Sequence, residues 1–331
     1  MAQALTTTTL PAGIGLEVEG LDLSRPLDDG TVAELRQLFV DAGVLVFRGV
    51  GSTPEAHVEL SRAFGELERH SNREAWLDGF PELIDISYRP PSDPLFSDLQ
   101  PVYDVGGVHL AGWLAWHTDQ CFVPRLSRGG VLRAIQVPER HGHTGFLDKI
   151  RLYDTLDEQL RDRIDDLRVV YRFEPRMDHN RYGVPAHVRL LHSSAGMQSI
   201  LGRLERDFPP VSHPLVLTQC ETGRRVLNFS PCYAVGVEGL PDDEADELLT
   251  RLAEHCTTAD HAYLHDWQVD DLVAWDNWRM LHNAEGCLET DTRLMHRTSI
   301  AGTDDPDDRP DHDHAVSTGL VQPRVDGRRA Q

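Results

Sequence analysis

Nothing in this chain of 331 residues approaches the roughly 18 to 20 consecutive apolar residues that a membrane-spanning helix requires. The opening, Met1 to Leu10, has neither the basic cluster nor the apolar core of a secretory signal, so a cytoplasmic protein is expected. Cysteine is scarce. The five present, Cys121, Cys220, Cys232, Cys256 and Cys287, are odd in number and include no CxxC pair, which excludes a disulfide framework and a zinc knuckle and predicts reduced, mostly buried thiols. Basic residues are also in deficit, 32 against 54 acidic, a net charge of -22. A surface that acidic repels phosphate backbones and anionic lipid heads, leaving a small molecule as the expected partner in place of nucleic acid or membrane. With 40% hydrophobic residues and no internal repeat, the composition is that of an ordinary globular chain.

Helical spacing comes first. Thr31 and Glu34 form a capping box ahead of Val32, Leu35, Leu38, Phe39 and Ala42, and Gly43 ends the segment. Val44 to Phe47 reads as a short buried strand, and a second helix starts at Thr53 with Pro54 in its first turn and stops at Gly65. From Tyr88 to Trp116 the pattern dissolves into a Pro- and Gly-bearing stretch, the composition of a functional lid. Val131 to Val137 suits a strand, and Tyr153, Leu156, Leu160, Ile164 and Leu167 read as one amphipathic helix. A second irregular region, 174–214, is followed by a strand at Arg224 to Phe229, a helix at Asp242 to Cys256, and strands at Leu272 to Trp275 and Leu294 to Ile300. Beyond Gly302 apolar periodicity ends, and residues 303–331 are expected to be a disordered acidic tail.

The segment Trp116-His117-Thr118-Asp119-Gln120 carries the chemistry. In an extended chain His117 and Asp119 project to one side, and an imidazole with a carboxylate supplies two ligands of the 2-His-1-carboxylate triad that holds Fe(II) with positions to spare. From the tripeptide alone, a hydrogen-bonded pair at a strand end is the plainer reading. A second copy, His312-Asp313-His314, falls in the tail, where no fixed ligand geometry can be held. The third ligand candidate is His282, after the strand and turn of Trp275 to Leu281, which would place it at an open sheet edge. On the final strand, Arg293, Met295, Arg297 and Ser299 share one face, and Leu294, Thr298 and Ile300 the other. Two arginines on one face can grip carboxylates through paired hydrogen bonds; two surface arginines paired with nearby acids fit the spacing as well.

These motifs together resemble the iron(II)- and 2-oxoglutarate-dependent dioxygenases of the taurine dioxygenase and 2,4-D dioxygenase type. The resemblance runs from Gly13-Ile14-Gly15 through Gly43 to Gly49, Phe64-Gly65-Glu66-Leu67, Trp116 to Asp119, and Trp275 to His282, ending at Met295-His296-Arg297. It implies a mainly β fold with flanking helices, a distorted double-stranded β-helix (jelly roll, cupin-like), over residues 1–302. The 88–116 stretch would be a lid and the 174–214 insertion a contact for a homo-oligomer.

By the same resemblance His117, Asp119 and His282 match the iron ligands. Arg293 matches the arginine that binds the distal carboxylate of 2-oxoglutarate, and Thr144 the threonine that assists it. Arg297 matches a position that meets the anionic group of the substrate, and His70 a second substrate contact. The implied cofactors are Fe(II), 2-oxoglutarate and dioxygen. Oxidative decarboxylation to succinate and carbon dioxide would drive oxidation of a small polar, anionic or amino-acid-like substrate, with hydroxylation as the default over desaturation, cyclisation or cleavage. Asp119 distinguishes the chain from related halogenases, in which a small residue replaces the carboxylate. Two other readings use the same residues: a zinc-dependent hydrolase or isomerase, which gives Arg293 and Thr144 no task, and a non-catalytic small-molecule-binding protein, for which an intact triad is superfluous.

Overall fold

A computed structural model describes residues 3–51, 53–69, 76–96, 100–194, 198–199, 202, 208–258 and 260–302. Its frame is two facing sheets. The larger has nine strands, ordered Thr6–Thr9, Leu16–Glu19, Val44–Phe47, Leu272–Asp276, Gly129–Gln136, Leu294–Ile300, Phe80–Asp85 and Trp76–Leu77, with Leu67–Glu68 also paired to Leu294–Ile300. The smaller has four, ordered Tyr263–His265, Thr144–Asp148, Met280–Ala284 and Leu114–His117. This is the distorted jelly roll the motifs imply.

Side-chain alternation explains why Val44–Phe47 is apolar at every position. Leu45 and Phe47 point outward against Leu35, Phe39, Leu60 and Phe64 of the helices Asp29–Ala42 and Pro54–Phe64. Val44 and Val46 point inward, where Leu132, Val273, Trp275 and Met295 of the large sheet meet Phe146, Tyr263 and Met280 of the small one. A strand covered on both faces needs no polar side. The same alternation on Leu294–Ile300 sends Met295 into the inter-sheet core and Ile300 against the helices, as the two-face reading expects.

Four local expectations are corrected. The first helix starts at Asp29, and its cap is Asp28, whose Oδ1 accepts the Thr31 N–H at 3.0 Å. Thr31 lies inside the helix, where its hydroxyl receives the Gln3 N–H. The segment from Tyr153 to Leu167 belongs to two short helices, Lys149–Asp154 and Glu158–Ile164, because Asp157 caps the second by accepting the Leu160 N–H at 2.8 Å. Both bury apolar residues in one cluster, which is why the spacing mimics a single helix. The stretch from Tyr88 to Trp116 is not irregular throughout: Val102–Val105, Val108–Ala111 and Leu114–His117 are strands, the first two joined by a turn over Gly106 and Gly107, both at positive φ. The region 174–214 likewise contains the strands Arg189–His192 and Val211–Pro214. His70 and the tail 303–331 lie outside the described residues. Among the described residues no helix is long and apolar enough to cross a membrane, four cysteines are buried, and Cys220 is half-buried.

Candidate active site

His117 ends one strand of the small sheet, and His282 sits within the neighbouring strand directly opposite it. His282 is therefore interior to the sheet, flanked by His117 on one side and Phe146 on the other, and not at an open edge as its position after a turn suggested. The strand stops at His117, so Asp119 arrives through the turn that follows, where Gln120 takes a left-handed φ of 55°. The Asp119 carboxylate faces both imidazoles: Oδ1 is 3.6 Å from His117 Nε2 and Oδ2 is 3.3 Å from His282 Nε2. One ligand atom from each residue lies within 4.8 Å of the others, and all three residues are buried. Among the described residues this is the one group of its kind.

The donors suit a divalent transition metal. His117 Nδ1 lies 2.8 Å from the Ala115 carbonyl, which fixes the proton on that nitrogen and leaves the Nε2 lone pair toward the centre. Burial, and next the nearby His117, lower His282 to about 4, so its ring is neutral at pH 7. Burial alone would raise the Asp119 carboxyl, but the Arg297 guanidinium and the two histidines outweigh it and hold the group well below the usual range. Two imidazoles and one carboxylate form a mixed nitrogen and oxygen set of the kind ferrous iron accepts.

Arg297, expected to meet an anionic group of the substrate, grips Asp119 with both terminal nitrogens, Nη1 to Oδ1 at 3.2 Å and Nη2 to Oδ2 at 2.7 Å. Its guanidinium carbon lies 5.2 Å from the centre of the Trp275 ring, and its Nε is buried with no hydrogen-bond partner. Arg293 is the opposite case. No carboxylate among the described residues pairs with it, and burial lowers its pKa to about 10. Its Nε lies 3.7 Å from where a Cβ at Gly142 would sit; with φ at +86° and the Pro138 side chain 2.9 Å from that point, Gly142 tolerates no larger residue. Two residues on, the Thr144 hydroxyl accepts the Trp267 indole N–H at 3.0 Å, which leaves its own hydrogen free to donate.

Sequence reasoning passed over the residues that hold the ligand-bearing turn. Asn277, wholly buried, accepts the Asp119 N–H at 2.9 Å and donates to the Asp119 carbonyl at 3.0 Å and the Ser127 carbonyl at 2.9 Å. Ser230 accepts the Thr118 N–H at 3.0 Å. The available signal was the short polar interruption Asp276-Asn277 within an otherwise apolar stretch, which is uninformative without its partner. An open groove of about 800 Å³ lies elsewhere, between Asp22–Pro26, the Pro54–Phe64 helix and Gly79–Glu82, and none of the predicted site residues among the described ones lines it.

The fold and this donor set define a non-haem iron, 2-oxoglutarate-dependent oxygenase. Residues 6–299 match the model of the family described as taurine catabolism dioxygenase TauD, TfdA family, and the chain belongs to that family. It is 32% identical over 280 residues to the alpha-ketoglutarate-dependent 2,4-dichlorophenoxyacetate dioxygenase of Cupriavidus pinatubonensis, covering 80% of this chain and 86% of that one. Among solved structures, a taurine dioxygenase from Burkholderia xenovorans superposes with a TM-score of 0.68 at 27% identity, over 90% of this chain and 91% of the other. AAD-2, solved in complex with Mn(II) and N-oxalylglycine, gives 0.67 at 25% identity, over 91% and 98%. The chain is an Fe(II)/2-oxoglutarate-dependent dioxygenase.

Proposed function

We propose that this enzyme oxidises, by hydroxylation, a small polar molecule bearing a carboxylate or an amino-acid-like group, with iron held by His117, Asp119 and His282 and 2-oxoglutarate held by Arg293 and Thr144. The observation that carries the reading is the meeting of His282 with His117 and Asp119, from a distant part of the chain, within 4.8 Å. When bound, the ferrous ion would activate dioxygen, the oxidant, and 2-oxoglutarate would supply two of the four electrons that reduce it, leaving as succinate and carbon dioxide. The chain's own part is placement and exclusion of water. Arg293, without a carboxylate partner, receives the distal carboxylate of the cosubstrate through paired charge-assisted hydrogen bonds, and the Thr144 hydroxyl donates one more. Arg297 keeps the Asp119 carboxylate ionised and oriented. Arg297 also supplies the positive charge for an anionic substrate group, and 2,4-dichlorophenoxyacetate, the compound named for the Cupriavidus relative, is a carboxylate. Trp275 and Phe146 pack beside His282 and keep bulk water from the ligands.

The test has two arms. Adding Fe(II) and 2-oxoglutarate without oxygen is expected to give the visible absorption of a chelated keto acid. A screen of carboxylic and amino acids in air is then expected to find substrates that release succinate and gain one oxygen atom. No absorption in the wild-type protein would refute the site; succinate release coupled only to uncharged compounds would refute the substrate class.

A further inference from the structure

Lys149 is the first residue of the helix Lys149–Asp154 and is wholly buried. Its position is unfavourable on three counts. A helix N-terminus repels a cation. Burial strips the ammonium of water and lowers its pKa to about 8. No carboxylate among the described residues pairs with it, since the nearby Asp276 and Asp148 are engaged with Arg128 at 3.0 Å and Arg279 at 2.6 Å. An apolar side chain of equal length would sit there at lower cost.

The return on that cost is the metal-ligating turn. Nζ donates to the Thr118 hydroxyl at 3.1 Å and to the Asn277 main-chain carbonyl at 3.1 Å. Thr118 is the residue between His117 and Asp119, and Asn277 is the residue whose amide clamps the Asp119 backbone at both its N–H and its carbonyl. One buried ammonium thus ties the middle of the turn to the clamp on its far end, next to the left-handed Gln120 where the chain is under strain.

We propose that Lys149 is a positioning residue for the metal centre, holding the His117-Thr118-Asp119 turn in the geometry that binds the ion at the expense of fold stability. The inference rests on the reading of His117, Asp119 and His282 as ligands. Indirect partners of metal ligands typically change affinity by about 10- to 100-fold when removed.

The test uses the full chain stripped of metal and titrated with Co(II), read by visible absorption, with the melting temperature of the metal-free protein measured alongside. Lys149→Met is expected to weaken Co(II) binding by about 10- to 100-fold while the melting temperature stays level or rises. Thr118→Val, which removes the acceptor and leaves the lysine, is expected to weaken binding in the same way, and the double variant to lose little more than either single one. If Lys149→Met does not fold, Thr118→Val decides. Binding as tight as wild type in Lys149→Met, or in Thr118→Val, would overturn the proposal. A wild-type protein that takes up no Co(II) would instead overturn the ligand assignment beneath it.

Discussion

Replacing Arg293 with glutamine separates a cosubstrate anchor from a structural cation. The guanidinium has no carboxylate partner among the described residues, and burial alone lowers its pKa to about 10. The half-buried guanidinium is thus unpaired by any described carboxylate until a ligand arrives. A buried, doubly hydrogen-bonded charge pair that loses one partner costs about 2 to 5 kcal/mol. At about 1.4 kcal/mol per factor of ten, the dissociation constant for 2-oxoglutarate rises by about 30-fold to a few thousandfold. Since no ion pair among the described residues is lost with it, Arg293→Gln is expected to leave urea stability unchanged. The assay is anaerobic titration of the metal-loaded variant with 2-oxoglutarate, and with 2-oxobutyrate, which lacks the distal carboxylate. Wild type should prefer 2-oxoglutarate strongly, and the variant should bind the two acids almost alike. Retained preference, or affinity within about threefold of wild type, would refute the assignment.

Three further outcomes follow from other contacts. Thr144→Val removes one hydrogen bond to a carboxylate and is expected to weaken 2-oxoglutarate binding by about 1.5 to 3 kcal/mol; it also strands the Trp267 indole N–H, lowering urea stability by about 1 to 3 kcal/mol. Arg279 donates to both Asp148 oxygens and to the carbonyls of Val40 and Asp41 at the end of the first helix, so Arg279→Met is expected to cost about 3 to 5 kcal/mol in denaturant unfolding, and a loss under 1 kcal/mol would contradict it. His57 is fully buried, its Nε2 on the Val131 carbonyl, and burial lowers it to about 3 from 6.5. Below pH 6.5 the unfolded chain takes a proton that the folded one refuses until about pH 3. This group's contribution to stability, complete above pH 6.5, is expected to fall by about 1.4 kcal/mol per pH unit across that window. Unfolding measured from pH 7 to 4 should show the slope in wild type and less of it in His57→Gln; equal slopes would refute the argument.

The expectations that held rest on local rules. Gly43 and Gly65 end the two helices where the periodicity stops, and the final strand splits its faces as period two requires. Those that failed share a cause in competition between equivalent local signals. Asp28 and Thr31 are both good caps three residues apart, and the one that leaves Thr31 free to bind Gln3 is used. Asp157 offers a helix start inside a spacing that reads as continuous. The strands at 102–105 and 108–111 are short and separated by the Gly106-Gly107 turn, and they pair with strands far along the chain, including Arg189–His192 and Cys287–Leu288. No local window contains those partners.

His117, Asp119 and His282 were candidates because chemistry restricts which residue types can hold iron, and the family resemblance of the surrounding motifs set them as the expected ligands. Arg293 was set apart by the same resemblance, as a bidentate donor at a matching offset from His282. The spending of Arg297 on Asp119, the hold of Asn277 on the turn and the burial of Lys149 beneath Thr118 came only with the folded chain. Each is a pairing between groups whose individual identities are common, and its energy depends on distance and on the exclusion of water, which the packing of the two sheets supplies.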